Sequence, residues 1–166
     1  RLPALADHAT PGQLFGDVQL FGQIVRAPFV AVTGTNGKST VTQLFYDIAK
    51  KQYGRVALGG NIGTPCLDLL GLDVDLYVLE VSSYQLELAD NLAADVAVLL
   101  NLSADHLDRY SSEQAYFETK FAIYNHCRSA VVNRAVSCSL DSSIRVVSIG
   151  MDEADGDDEF ALSGDA

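Results

Sequence analysis

Nowhere does an apolar run approach the roughly 20 residues that a membrane-spanning helix needs. The N-terminal residues also lack the charged-then-apolar layout of a secretory signal. A cytoplasmic protein that does not engage the membrane is expected. Cysteine is scarce: Cys66, Cys127 and Cys138 are an odd count with no C-x-x-C pair. Free thiols, buried in a reducing compartment, are the reading. A basic stripe is missing too, which argues against nucleic acid as a partner, and no internal repeat is visible.

Acidic residues, by contrast, are plentiful. The formal net charge is −11, yet residues 151–166 hold seven of the 22 acids and no Lys or Arg. Without that run the balance falls to −4, so the acidity reads as a solvated terminal stretch rather than a field across the fold. With 166 residues, 48% of them hydrophobic and 20% charged, the chain suits one domain with a sizeable core.

Residues 1–16, rich in Pro and Gly, read as a linker leading in. Asp17 is expected to cap a short helix in which Leu20, Phe21 and Ile24 share a face. A buried strand follows in "FVAVT". Residues 38–51 then place Val41, Leu44, Phe45 and Ile48 at helical spacing. Strands are predicted in "RVALGG", "LYVLEV", "VAVLLNL", "AVVN" and "RVVSIG", with short helices near 65–70 and in "SSYQLEL" and a longer one over 112–126. The strands are continuously apolar, as when both faces are covered. Their alternation with helices predicts an α/β domain: a mostly parallel sheet flanked by helices. The domain is assigned to 17–150, with 151–166 a truncated part of it.

The stretch "FVAVTGTNGKSTVTQLF" poses a question of spacing. A Walker A loop reads G-x-x-x-x-G-K-[ST], but the position for its first glycine holds Val32, and the glycine comes two residues late, at Gly34. The loop Gly34-Thr35-Asn36-Gly37 can still form a nest of N–H groups at the start of a helix, suited to phosphate. Lys38 can reach the terminal phosphates, and the hydroxyl of Ser39 or Thr40 can ligate Mg2+. An ordinary Gly-rich turn is the bland alternative, and spacing alone does not separate a shortened loop from a degraded one.

Three more polar motifs close predicted strands: "GGNIGTP", "LEVSSYQLE" and "NLSADHLDRY". The carboxyl ends of parallel strands form one rim, where ligands bind. Glu80 ends an otherwise apolar strand. A helix cap or an ion pair would explain it, but a Mg2+ ligand opposite Ser39 explains it better. Asp105-His106 reads equally as a helix-capping pair. Asn61 can mark a left-handed turn, His8 and His126 read as surface residues, and Lys120 reads as a solvated lysine on an amphipathic helix.

In that order, "VAVTGTNGKST", "GGNIG", "LEVSSYQLE" and "NLSADHLDRY" resemble the ATP-binding central domain of the Mur ligases, over about residues 17–150. The shortened G-T-N-G-K-S loop is similar to that superfamily's own form, shared with folylpolyglutamate synthetases. "GGNIG" with "LEVSSYQLE" resembles the D-glutamate-adding branch. The resemblance implies ATP-dependent amide formation in peptidoglycan synthesis, joining D-glutamate to UDP-N-acetylmuramoyl-L-alanine through an acyl phosphate. It implies that Lys38 and the 34–40 loop hold ATP, that Ser39 and Glu80 serve one Mg2+, and that His106 serves a second. Lys120 matches a lysine carbamylated by CO2 that helps hold the second metal. Asn61, Ser82 and Gln85 match substrate contacts; Tyr84 stands where Phe is common. A monomer is expected, as a fragment of a three-domain ligase that does not turn over alone. Two alternatives stay open: a sister ligase of the folylpolyglutamate synthetase type, or a non-catalytic nucleotide-binding fragment.

Overall fold

The structure, a computed structural model, describes residues 14, 16–105 and 108–161. The expected linker over 1–16, with His8, lies almost wholly outside the described residues, as does His106.

Seven parallel strands form one sheet in the order β2-β3-β1-β4-β5-β6-β7. They are β1 (Phe29–Thr33), β2 (Val56–Gly60), β3 (Leu76–Glu80), β4 (Val96–Leu99), β5 (Ser129–Asn133), β6 (Arg145–Gly150) and β7 (Glu159–Ala161). The helices are α1 (Asp17–Ile24), α2 (Lys38–Tyr53), α3 (Ser83–Leu86) and α4 (Glu113–Phe121), with 3-10 turns at Cys66–Leu69 and Ala122–Tyr124. The expected parallel α/β architecture is therefore what the chain adopts.

β1 lies inside the sheet, between β3 and β4, and all five of its residues are apolar or small enough to be covered on both faces. Phe29 and Ala31 point into the larger core, while Val30 and Val32 alternate toward α2, with Val98 beside them. From β1 the chain runs to β2 on one side, and after β3 it crosses to β4 on the other. That reversal opens a crevice at the carboxyl end of β1, the place where open parallel sheets bind ligands. On the larger-core face, Phe21 of α1 meets Phe29 and Tyr77 edge-on, with ring centroids 5.6 and 5.2 Å apart.

Several expectations are corrected. Gly16, not Asp17, occupies the N-cap of α1, and Asp17 is the first helical residue. Val18 and Phe21 form the buried face of that helix, and Ile24 is 52% exposed. Along α2, Val41 and Phe45 pack against the Val30, Val32 and Val98 cluster as expected, whereas Leu44 and Ile48 are exposed; the most buried positions are the small Thr42 and Ala49, which allow a close approach. The helix expected over 112–126 stops at Phe121 and tightens into a 3-10 turn. β6 is only partly covered, unlike the central strands. The acidic run is not wholly a solvated tail: its residues 159–161 add β7 to the sheet. Arg134 ties that run down, donating to Asp152, Ser148 and the Phe160 carbonyl. Apolar patterning does not disclose such a strand, because an arginine and backbone pairing hold it.

Cys66 and Cys127 are buried, and the three thiols are free. His126 is exposed, as expected. Among the described residues no helix is long and apolar enough to cross a membrane.

Candidate functional site: a phosphate-type loop with a buried carboxylate

The spacing question has a geometric answer. Val32 is fully buried inside β1, so the chain is still strand where a Walker A loop would begin. The loop occupies only residues 34–37. Gly34 is needed for close packing, since a Cβ there would stand 3.0 Å from that of Leu100. Gly37 is needed for conformation: it is the N-cap of α2 at φ 77°, a left-handed backbone that favours glycine.

β4 holds this loop through the segment that follows it. The Asn36 N–H donates to Asn101 Oδ1 at 2.9 Å, and Asn101 Nδ2 returns a bond to the Asn36 carbonyl at 3.0 Å. The Thr35 N–H reaches the Asn101 carbonyl at 3.0 Å. Thr35 Oγ1 donates to the Ser103 carbonyl and accepts from the Ser103 N–H, at 3.2 and 3.1 Å. The Tyr116 hydroxyl lies 3.3 Å from the same Oγ1. With the Thr35 and Asn36 amides used in this way, the N–H groups free to face an anion are those opening α2, which have no partner within a helix. Thr40 lies in that exposed first turn.

Two lysines converge on one loop carbonyl. Lys38 Nζ donates to the carbonyls of Gly34 and Thr35, each at 3.0 Å. Lys120 Nζ donates to the same Gly34 oxygen at 3.0 Å. Lys120 is 1% exposed, which overturns the reading of a solvated lysine. The cause is the position of α4, whose inward face carries both Tyr116 and Lys120, with Nζ 4.9 Å from the Tyr116 ring centroid. Burial first, and then the neighbouring Lys38 charge, lower the Lys120 amine to about 8, against a smaller opposing pull from Asp105.

Glu80 ends β3 beside this loop and is 1% exposed. Ser39 Oγ donates to its Oε2, and Asn61 Nδ2 to its Oε1, both at 2.7 Å. Neither a helix cap nor an ion pair accounts for it: among the described residues Glu80 pairs with no Lys, Arg or His. A buried carboxylate with only neutral donors is incomplete without a cation. Among the described residues no three His, Cys, Asp or Glu side chains converge. The donor set of a hydroxyl and one carboxylate is of the kind that suits Mg2+.

Asn61 itself is not the left-handed residue of its turn; Gly60 and Gly63 are, at φ 100° and 62°. Ser82 and Gln85 form a capping box on α3. The Gln85 N–H donates to Ser82 Oγ, while the Ser82 N–H and hydroxyl donate to Gln85 Oε1 at 3.0 and 3.2 Å. Tyr84 is 43% exposed and lies under the Arg109 guanidinium, 4.3 Å from its ring centroid. Ser39, Glu80, Asn61, Lys38 and Lys120 are thus brought to one rim. Sequence reasoning missed Asn101, Ser103 and Tyr116. The only signal for Asn101 and Ser103 was their place in "NLSADHLDRY", at the carboxyl end of the strand beside β1.

The chain is similar to known proteins over most of its length. Residues 32–162 match the Mur ligase middle domain. UDP-N-acetylmuramoylalanine–D-glutamate ligase of Pseudomonas syringae pv. tomato is 53% identical over 133 residues, covering 80% of this chain and 30% of that protein. The protein of the same name from Pseudomonas aeruginosa is 52% identical over 136 residues, covering 81% of this chain and 30% of that one. Among solved structures, a UDP-N-acetylmuramoyl-L-alanyl-D-glutamate–2,6-diaminopimelate ligase superposes with a TM-score of 0.64 at 25% identity, covering 82% of this chain and 34% of its own. The chain therefore spans about 30% of the length of the curated relatives it matches. A shortened phosphate-type loop, a carboxylate-ended β3 and likeness over most of its length place the chain in the Mur ligase family, as its middle domain.

Proposed function

We propose that this chain is the ATP-handling domain of a cytoplasmic ligase that joins D-glutamate to UDP-N-acetylmuramoyl-L-alanine. The Ser39–Glu80 contact at the mouth of the 34–37 loop carries the phosphoryl-transfer half of this reading. The 53% identity to a D-glutamate ligase supports the choice of substrates. Residues 17–150 form the core of the domain, 1–16 lead into it from a preceding part, and 151–166 belong to the same domain. The working ligase is a monomer.

The substrate's terminal carboxylate must attack the γ-phosphate of ATP, anion against anion, so positive charge has to stand between them. Lys38 is placed for this. Its ammonium exchanges the Gly34 and Thr35 carbonyls for phosphate oxygens, and the N–H groups opening α2 receive the rest of the phosphate chain. Ser39 and Glu80 are the groups that would hold a first Mg2+, with His106 at a second; when bound, Mg2+ supplies the charge that offsets the two anions. That attack releases ADP and leaves an acyl phosphate. The amine of D-glutamate adds to its carbonyl carbon, the C–N bond forms, the C–O bond breaks so that phosphate leaves with the bridging oxygen, and the nitrogen gives up its proton to solvent.

Lys120 fits carbamylation. Its lowered proton affinity populates the neutral amine near neutrality. That amine attacks the carbon of CO2, forms an N–C bond and releases one proton. A buried cation becomes an anion that can serve the second metal. Asn61, Ser82 and Gln85 line the rim next to Glu80 and contact the muramoyl substrate.

The test uses the full-length product of the reading frame that encodes this chain. The muramoyl substrate is labelled with heavy oxygen in its terminal carboxylate. Acyl-phosphate formation moves one heavy oxygen into the released phosphate, and its absence there would end this reading.

A further inference from the structure

Gln85 of the capping box is itself held by a residue outside every motif. Gln85 Nε2 donates to Asp17 Oδ2 at 3.0 Å, across 68 positions of sequence. An amide side chain can face either way, and its neighbours decide which. Here Oε1 accepts from both the N–H and the hydroxyl of Ser82. A flipped amide would set its NH2 against the Ser82 N–H and its oxygen against the Asp17 carboxylate. A carboxylate offers only acceptors, so Asp17 supports the orientation that keeps the capping box closed.

Asp17 is itself rigidly placed. It opens α1, whose Val18 and Phe21 are fully buried. The Gly16 N–H, one residue before it, donates to the Leu88 carbonyl just beyond α3 at 2.9 Å. The buried Cys66 thiol donates to the same Oδ2 at 3.5 Å.

We propose that Asp17 is a positioning residue for the substrate end of the site, fixing the Gln85 amide and through it Ser82. This rests on the reading of Ser82 and Gln85 as substrate contacts. Asp17 is bonded by Gln85 and Cys66, and it acts on the site through Gln85.

The test uses the full-length protein with three variants: Asp17→Ala, Gln85→Glu, and the double variant Asp17→Asn/Gln85→Glu, which reverses the polarity of the pair. A lost orienting hydrogen bond corresponds to a change of about 2- to 12-fold. Asp17→Ala is expected to raise KM for the muramoyl substrate within that range and to leave KM for ATP unchanged. Gln85→Glu alone sets two carboxylates against each other and raises it further. The double variant brings it back toward wild type. Hydrogen exchange at the Ser82 amide follows the same order, faster in both single variants and restored in the double one.

An unchanged KM in Asp17→Ala, or no recovery in the double variant, would overturn the proposal while leaving the ligase reading intact. A wild type that turns over no muramoyl substrate would instead remove that reading. Ser82 exchange unaltered by Asp17→Ala would overturn the Asp17–Gln85 link in either case.

Discussion

Asn61 and Glu80 are joined twice: Asn61 Nδ2 donates to the carboxylate at 2.7 Å, and the Asn61 N–H donates to the Glu80 carbonyl at 2.8 Å. The turn after β2 is thereby stitched to the end of β3, and the carboxylate is aimed toward Ser39. Gly60 makes this possible. At φ 100° a Cβ would lie 2.3 Å from the Glu80 carbonyl oxygen.

Gly60→Ala is therefore expected to cost about 3 kcal/mol or more, from strain and overlap together. That corresponds to a fall of roughly 6–12 °C in thermal midpoint for a domain of this size. Gly63→Ala, left-handed but with open space around it, is expected to cost only about 1–2 kcal/mol. Scanning calorimetry of the two variants side by side checks the difference.

Lys38→Ala removes the one loop ammonium placed to follow the phosphates. A hydrogen bond to a charged group contributes about 1.5–3 kcal/mol, so nucleotide affinity should fall by roughly 10- to 150-fold by titration calorimetry. Folding should be little affected, since Lys38 is only half-buried.

Asn101→Ala breaks both side-chain bonds to Asn36. The expected loss is about 1–2 kcal/mol of loop order, seen as faster amide exchange at Asn36 and weaker nucleotide binding, with β4 itself intact.

Lys120 sets a pH dependence. Its folded value, about 8, lies below the ordinary 10.5. Below pH 8 the folded protein carries the cost of a buried charge, and that cost is relieved as pH rises from 8 toward 10.5. The neutral amine grows over the approach to 8, so uptake of carbon-13-labelled CO2 at Lys120, read as a carbamate NMR signal, should increase from pH 6 to 8. Lys120→Arg should show none.

Glu87 works in the opposite direction. Burial alone would raise its carboxyl, but hydrogen bonds from Arg109 and Tyr110 overcome that and hold it below 4.5. The stability it lends is present above 4.5 and is lost as pH falls through its folded value. Glu87→Gln should make the acid limb of the unfolding curve shallower.

Much of this was legible in the sequence. β1, β3 and β4 announce themselves as short apolar runs, and Glu80 and the Gly34–Lys38 loop stand out because each breaks such a run. The face of α2 was read only in half: Val41 and Phe45 pack toward the sheet, but Leu44 and Ile48 do not, because close packing there selects the small Thr42 and Ala49, which apolar spacing does not mark. Residue chemistry alone left Lys120 solvated, and only the family resemblance set it apart, because one lysine in "YFETKFAIY" gives no sign of burial until α4 is placed against the loop. Asp17 was invisible as a site residue, since its partner is 68 positions away. β7 was hidden because pairing with β6 and the hold of Arg134, rather than apolar content, keep it in place.

The most direct measurement is phosphate release by the full-length gene product with ATP, Mg2+ and UDP-N-acetylmuramoyl-L-alanine, adding one amino acid at a time. Release that requires D-glutamate and disappears in Lys38→Ala is the result expected. Release with a different amino acid, or none from a folded protein with any acceptor, would contradict the account.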